Sequence, residues 1–115
     1  MSTSHEQYDD VIDVRPLGPA LAGAKSSTLV RAPTLEVHRL VIARGREIPT
    51  HQARGAITVH CLEGRITFTA SGTTRELGAG QMLVLAAGEP HSLVGLEDSS
   101  VLVTKVLPAN PSAPC

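Results

Sequence analysis

The stretch GREIPTHQARGAITVHCLEG, Gly45 to Gly64, decides the fold. In its second half Ile57, Val59 and Cys61 alternate with Thr58 and His60, and Gly64 closes the run. That period of two describes a strand with one face in an apolar core and a turn at its end. The first half delivers His51 by an incoming loop, as a metal-binding hairpin delivers a first ligand, but Ala53 and Ile57 follow where further donors are expected. The frame of a site is there and most of its donors are not.

Outward from this stretch the chain keeps the same texture. STLVR, LEVHRLVIA, AITVHCLEG, RITFTA, TTREL, QMLVLA, HSLVG and SSVLVTKVL are short runs rich in Val, Ile, Leu and Thr, separated by Gly, Pro, Asp and Ser. LEGRITF places a glycine at a hairpin turn, and TASGTT is a second tight turn around Gly72. No window carries a helical period over ~10–12 residues, a weak one at Ala20–Lys25 aside. So many short strands in one small chain predict an all-β sandwich or barrel, which also limits exposed edges. Residues 1–25 read as an irregular N-terminal arm with at most one short strand, Val11–Val14. Residues 26–107 form the barrel, and 108–115, with three prolines in PANPSAPC, a disordered tail.

Bulk properties exclude several classes of function. The 115 residues make one domain, and 42% hydrophobic content with 2% aromatic means a core of Val, Leu, Ile and Ala. A net charge of −1 gives no electrostatic reason for nucleic acid or an anionic membrane as partner. Tyr8 and Phe68 are too few aromatics for an RNA-stacking sheet. Cys61 in an apolar run and Cys115 at the last position make no disulfide framework, so a reducing, cytoplasmic setting is expected. The N-terminus has no signal-peptide pattern, and no segment approaches ~20 consecutive apolar residues.

Spacing then joins two motifs. Five residues separate Gly45 from His51, and Gly64 closes the first motif; five residues separate Gly80 from Ala86, and Gly88 and His91 follow. In register this resembles the cupin family, whose first motif runs from a glycine through His-x-His and a Glu to a glycine, and whose second runs from a glycine through Pro-x-Gly to a His and an Asn. Gly45, His51, Gly64, Gly80, Gly88 and His91 fall on motif positions over roughly Leu35–Leu107. Ala53 stands at the second His, Ile57 at the Glu, Ala86 at the Pro and Gly95 at the Asn. The chain is also similar to small bacterial cupins that read PGEITVQCLEG here, with Ala56 and His60 differing. The resemblance implies a single-domain jelly-roll barrel (a double-stranded antiparallel β-helix) that pairs as a homodimer; TLVR and VLVTKVL would be edges needing cover.

In cupins with intact motifs three His and a Glu hold Fe, Mn, Ni or Zn. Position by position, only His51 and His91 carry over. Catalytic zinc sites have three protein ligands, and facial-triad iron has two His and a carboxylate. By strand parity Ile57, Val59 and Cys61 face inward and His60 outward. His60 becomes a metal ligand only if a bulge near Gly55 shifts the register. Gln52 and Glu47 lie near His51 on the incoming loop. Cys61 is a buried small hydrophobe and His38 a solvent-facing or satisfied strand residue. Glu63 reads as turn chemistry, and Glu97 and Asp98 as a solvated loop. Arg39, Arg44, Arg46 and Arg54 are either exposed strand-end cations or a landing site for an anion. Three functions stay open: a barrel binding a small molecule at its mouth, through an altered divalent-metal site or with no cofactor at all; a metal-dependent dioxygenase or isomerase; and a dimeric interaction protein without an active site.

Overall fold

A computed structural model of the chain describes residues 9–108. Its strands are β1 (Ser27–Ala32), β2 (Leu35–Ile42), β3 (Glu47–His51), β4 (Ile57–Glu63), β5 (Arg65–Ala70), β6 (Thr73–Gly78), β7 (Met82–Leu85), β8 (His91–Gly95) and β9 (Ser99–Val106). They form two antiparallel sheets in the orders β1-β2-β9-β4-β7 and β3-β8-β5-β6. This is the expected all-β double-stranded β-helix.

Between the sheets, alternate residues interdigitate. β4 buries Ile57, Val59 and Cys61 while Thr58 and His60 are only half-buried, so the parity of AITVHCLEG is the unshifted one. Against them pack Ile42, Ile66, Phe68, Leu77, Leu85, Leu93, Val101 and Val103. The aliphatic core needs little aromatic area because nearly every inward position carries a branched side chain.

The turns do different work from one another. Between β5 and β6, Ser71 and Gly72 both have positive φ (53° and 73°), the conformation of a primed two-residue hairpin turn. Gly64, at φ 81°, instead passes the chain from one sheet to the other. LEGRITF is therefore a crossing between sheets and not a hairpin within one. A Cβ at Gly64 would lie 2.3 Å from the Asp98 carbonyl oxygen, so the crossing also requires close backbone approach.

Several sequence expectations need correction. EIPTH, read from the sequence as part of the incoming loop, is a strand, β3. It forms at the edge of its sheet, where a missing N–H is tolerated. VLVTKVL is not an edge, since β9 pairs with β2 on one side and β4 on the other; TLVR does lie in an edge strand, β1. Val11–Val14 is not a strand, and near Ala20 the helical signal amounts to one 3-10 turn, Gly18–Ala20.

Residues of the arm are tied to the five-stranded sheet by two side chains that the sequence left as turn and strand-end chemistry. Glu63 accepts hydrogen bonds from the backbone N–H groups of Leu17 (2.8 Å) and Gly18 (3.1 Å) and from the Ser100 hydroxyl. Arg39 is buried and donates to the carbonyls of Arg15 and Asp13. Burial pushes the Glu63 carboxyl up, but these hydrogen bonds outweigh it and hold the group below the usual carboxylate value.

Candidate functional site

A cavity of about 230 Å³ opens between the sheets, walled by Leu40, Ile48, Ala53, Ile57, Val59, Phe68, Leu93 and Val103. Its polar lining is His38, His51, His91 and Lys105. His51 and His91 thus come together as expected, one from each motif. Their rings meet edge to face with centroids 4.2 Å apart, and Phe68 stacks on His91 at 5.5 Å.

A β-bulge makes this meeting possible. In the β3–β8 pairing Ile48 lies opposite Leu93 and His51 opposite His91, so β3 spends one residue more than its partner across Pro49–Thr50. Without the extra residue His51 would fall on the face away from the cavity. The bulge near Gly55 that an inward His60 would require is not formed. The bulge in β3 turns His51 inward instead.

His60 is consequently absent from the cavity. β4 pairs with β7 without a break from Ile57 to His60, leaving His60 on the outer side beside Met82 and Leu102. The register shift on which its place among the metal ligands depended is not present. Gly55 is occupied otherwise: a Cβ there would overlap the Val106 carbonyl, so it lets the end of β9 pass close.

The tautomers of the two rings follow from their partners. His51 Nδ1 lies 3.0 Å from the Pro49 carbonyl oxygen, and His91 Nδ1 lies 2.9 Å from that of Glu89. A carbonyl only accepts, so each Nδ1 carries a proton and each neutral ring keeps its lone pair on Nε2. His91 is buried, and burial, with His51 and Lys105 nearby, pushes its pKa below the ordinary imidazole value. His51 is exposed and stands at the mouth.

The loop after β3 is pinned beside these rings. Gln52 Nε2 donates to the Gly88 carbonyl at 2.8 Å, and Gly88 N–H donates to the Ala53 carbonyl at 2.9 Å. Gln52 is thereby used for closure and does not reach the cavity. Glu47, Arg44, Arg46 and Arg54 are exposed and outside the lining, and Arg39, also outside it, is buried under the arm.

Two cavity residues were missed as such. His38 faces inward, its nitrogens 3.1 Å from Thr28 Oγ1 and 3.1 Å from Glu36 Oε1, so it is satisfied as expected but not solvent-facing. Lys105 enters from β9. It shares parity with Val101 and Val103, a cation on the apolar face of its strand, and that signal was present in SSVLVTKVL.

As a resident metal centre the donor set falls short. Ala53 and Ile57 line the cavity without a donor atom. Among the described residues no group of three or more His, Cys, Asp or Glu is placed to hold a metal ion. Two imidazoles are fewer than catalytic zinc or facial-triad iron sites use. Cys61 is buried against the core, which pushes its thiol pKa up, and it is inert there. No helix among the described residues is long and apolar enough to cross a membrane.

Comparison with known proteins bears on this arrangement. The model of the cupin domain family matches residues 38–106. A conserved protein of unknown function from Streptococcus pyogenes superposes with TM-score 0.72 at 26% identity, covering 93% of this chain and 95% of its own. A cupin superfamily protein from Desulfitobacterium hafniense gives TM-score 0.72 at 17% identity, covering 85% and 95%. KdgF from a Halomonas species gives 0.66 at 22%, covering 72% and 79%. The latter two show the fold alone. No curated protein matches the chain.

Proposed function

The chain belongs to the cupin family, and from the cavity inside its barrel we propose that it is a small-molecule-binding protein. The observation that carries this is the juxtaposition of two imidazoles, each with Nδ1 fixed by a carbonyl, at the mouth of an apolar chamber. Apolar walls with a few convergent polar groups are the usual composition of a ligand site. A chamber of about 230 Å³ suits a ligand smaller than a drug.

A metal-dependent enzyme of dioxygenase or isomerase type comes second. What favours it is the proximity of the two imidazole rings, 4.2 Å between centroids; what weighs against it is the lack of a third protein donor among the described residues. Elemental analysis of untagged protein, with His51→Ala beside it, separates the two. Near-stoichiometric Zn, Fe, Ni or Mn lost in the variant would promote the enzyme.

The test of small-molecule binding is a thermal-shift and ligand-observed NMR screen, repeated on Ala53→Phe, which fills the chamber. Hits should vanish in the variant. Hits retained there at equal strength would place binding elsewhere and refute the proposal.

The working unit proposed is a homodimer. Its support is the open edge of β1 and the exposure of Val11, Met82 and Val84, large apolar side chains that water solvates poorly. Sedimentation equilibrium decides it: a monomer at tens of micromolar would end the idea.

A further inference from the structure

The polar groups in the cavity constrain what fits it beyond size. Lys105 makes no ion pair among the described residues, although its cross-strand neighbour is the carboxylate-bearing Glu36. Glu36 instead turns to His38 at 3.1 Å and to Arg31 at 3.8 Å. Lys105 thus borders both the cavity, whose lining holds no carboxylate, and a neighbouring cleft that Glu36 also lines, and with Glu36 engaged by His38 and Arg31 its ammonium group is left for a ligand anion.

The imidazoles ask for something different. With Nδ1–H committed to a carbonyl, each neutral ring offers only an acceptor at Nε2. A bare carboxylate set against two lone pairs would be repelled, and a bare alcohol would leave Lys105 unanswered. A phosphate dianion would face a single lysine ammonium in a chamber walled mainly by apolar side chains, where uncompensated charge is costly. One molecule answers both demands if it joins a carboxylate to a hydroxyl on a compact apolar body.

Resting on the assignment of the cavity as a small-molecule site, we propose that its ligand is a small hydroxy acid. The carboxylate pairs with the Lys105 ammonium, the hydroxyl donates to Nε2 of His51 or His91, and the apolar body packs on Val59, Phe68 and Val103. Lys105 and the His pair then select for different groups of the same molecule.

The experiment is a calorimetric and NMR titration of the full chain with glycolate, lactate and mandelate, graded in bulk. Phenylacetate (no hydroxyl), mandelamide (no carboxylate) and benzyl alcohol (a neutral filler) serve as partners to mandelate. Mandelate should bind about tenfold or more tighter than either phenylacetate or mandelamide. Lys105→Met, which keeps the apolar stem, should bring mandelate and mandelamide together while the hydroxyl preference persists. His51→Leu or His91→Phe, whichever removes the accepting ring, should erase the preference for mandelate over phenylacetate, and a preference kept in both variants would overturn the assignment. Benzyl alcohol binding as tightly as mandelate would overturn the hydroxy-acid assignment and leave the cavity site standing. An unchanged mandelate-to-mandelamide ratio in Lys105→Met would overturn it as well. If no probe binds, benzyl alcohol included, both proposals fall.

Discussion

Ile57→Glu puts a carboxylate back at the cupin motif position, on the wall that also carries His51 and His91. Ile57 is 3% exposed, so the change forfeits nearly a whole buried side chain, roughly 1.5–3 kcal/mol. The new carboxyl, held in an apolar wall, stays protonated to a higher pH than usual and adds a cost of about 1–3 kcal/mol. The metal-free variant should therefore lose about 3–5 kcal/mol, a large part of a typical domain's 5–15. At roughly 4 °C per kcal/mol its melting temperature falls by ~12–20 °C. With two His and a carboxylate the donor set reaches that of a facial triad. A divalent ion at a hundredfold excess over its Kd then restores about 2.7 kcal/mol, near 10 °C. The assay is a melt with and without Zn, Ni or Mn, with Ile57→Gln as the control that matches shape and lacks charge. Should the glutamate variant not fold, Ala53→His offers a third imidazole at a less buried wall position. A metal-induced rise no larger than in wild type or Ile57→Gln would refute the placement of position 57 beside the His pair.

Three further outcomes follow from the geometry. Gly64→Ala should cost about 2–5 kcal/mol in urea unfolding, because positive φ and overlap with the Asp98 carbonyl add together; Gly72→Ala, with the same sign of φ and nothing within 4 Å, should cost only about 1–2, and equal costs would refute the steric account. Glu63→Ala should speed hydrogen exchange at Leu17 and Gly18 and cost about 1–2 kcal/mol. Since the folded Glu63 pKa lies below 4.5, its contribution is present above that pH and lost as pH falls through the folded value; an acid limb unchanged in Glu63→Ala would contradict this. His91 is held below 6.5, so the unfolded chain takes up its proton first and stability declines as pH drops from about 6.5 toward the lower folded value. Denaturation midpoints from pH 7 to pH 5 should show that decline in wild type and a smaller one in His91→Phe.

Strand existence and facing were legible because they are local. Period-two alternation marked Ile57, Val59 and Cys61 as inward and His60 as outward, and the paired motif spacing brought His51 and His91 to one place. The same parity, applied to SSVLVTKVL, already set Lys105 on the apolar face, though a sheet neighbour is needed to turn a face into a cavity wall. What the tertiary structure decided depends on pairing between distant segments. The orientation of His51 rests on a one-residue bulge that exists only where β3 meets β8, and Pro49 hides that strand from any propensity pattern. Whether Glu63 is a turn residue or a clamp depends on a stretch more than forty positions away, Leu17 and Gly18, arriving at its carboxylate. Alternation of side chains is written in the order of residues, whereas register, bulges and long-range hydrogen bonds are settled by which strands find each other.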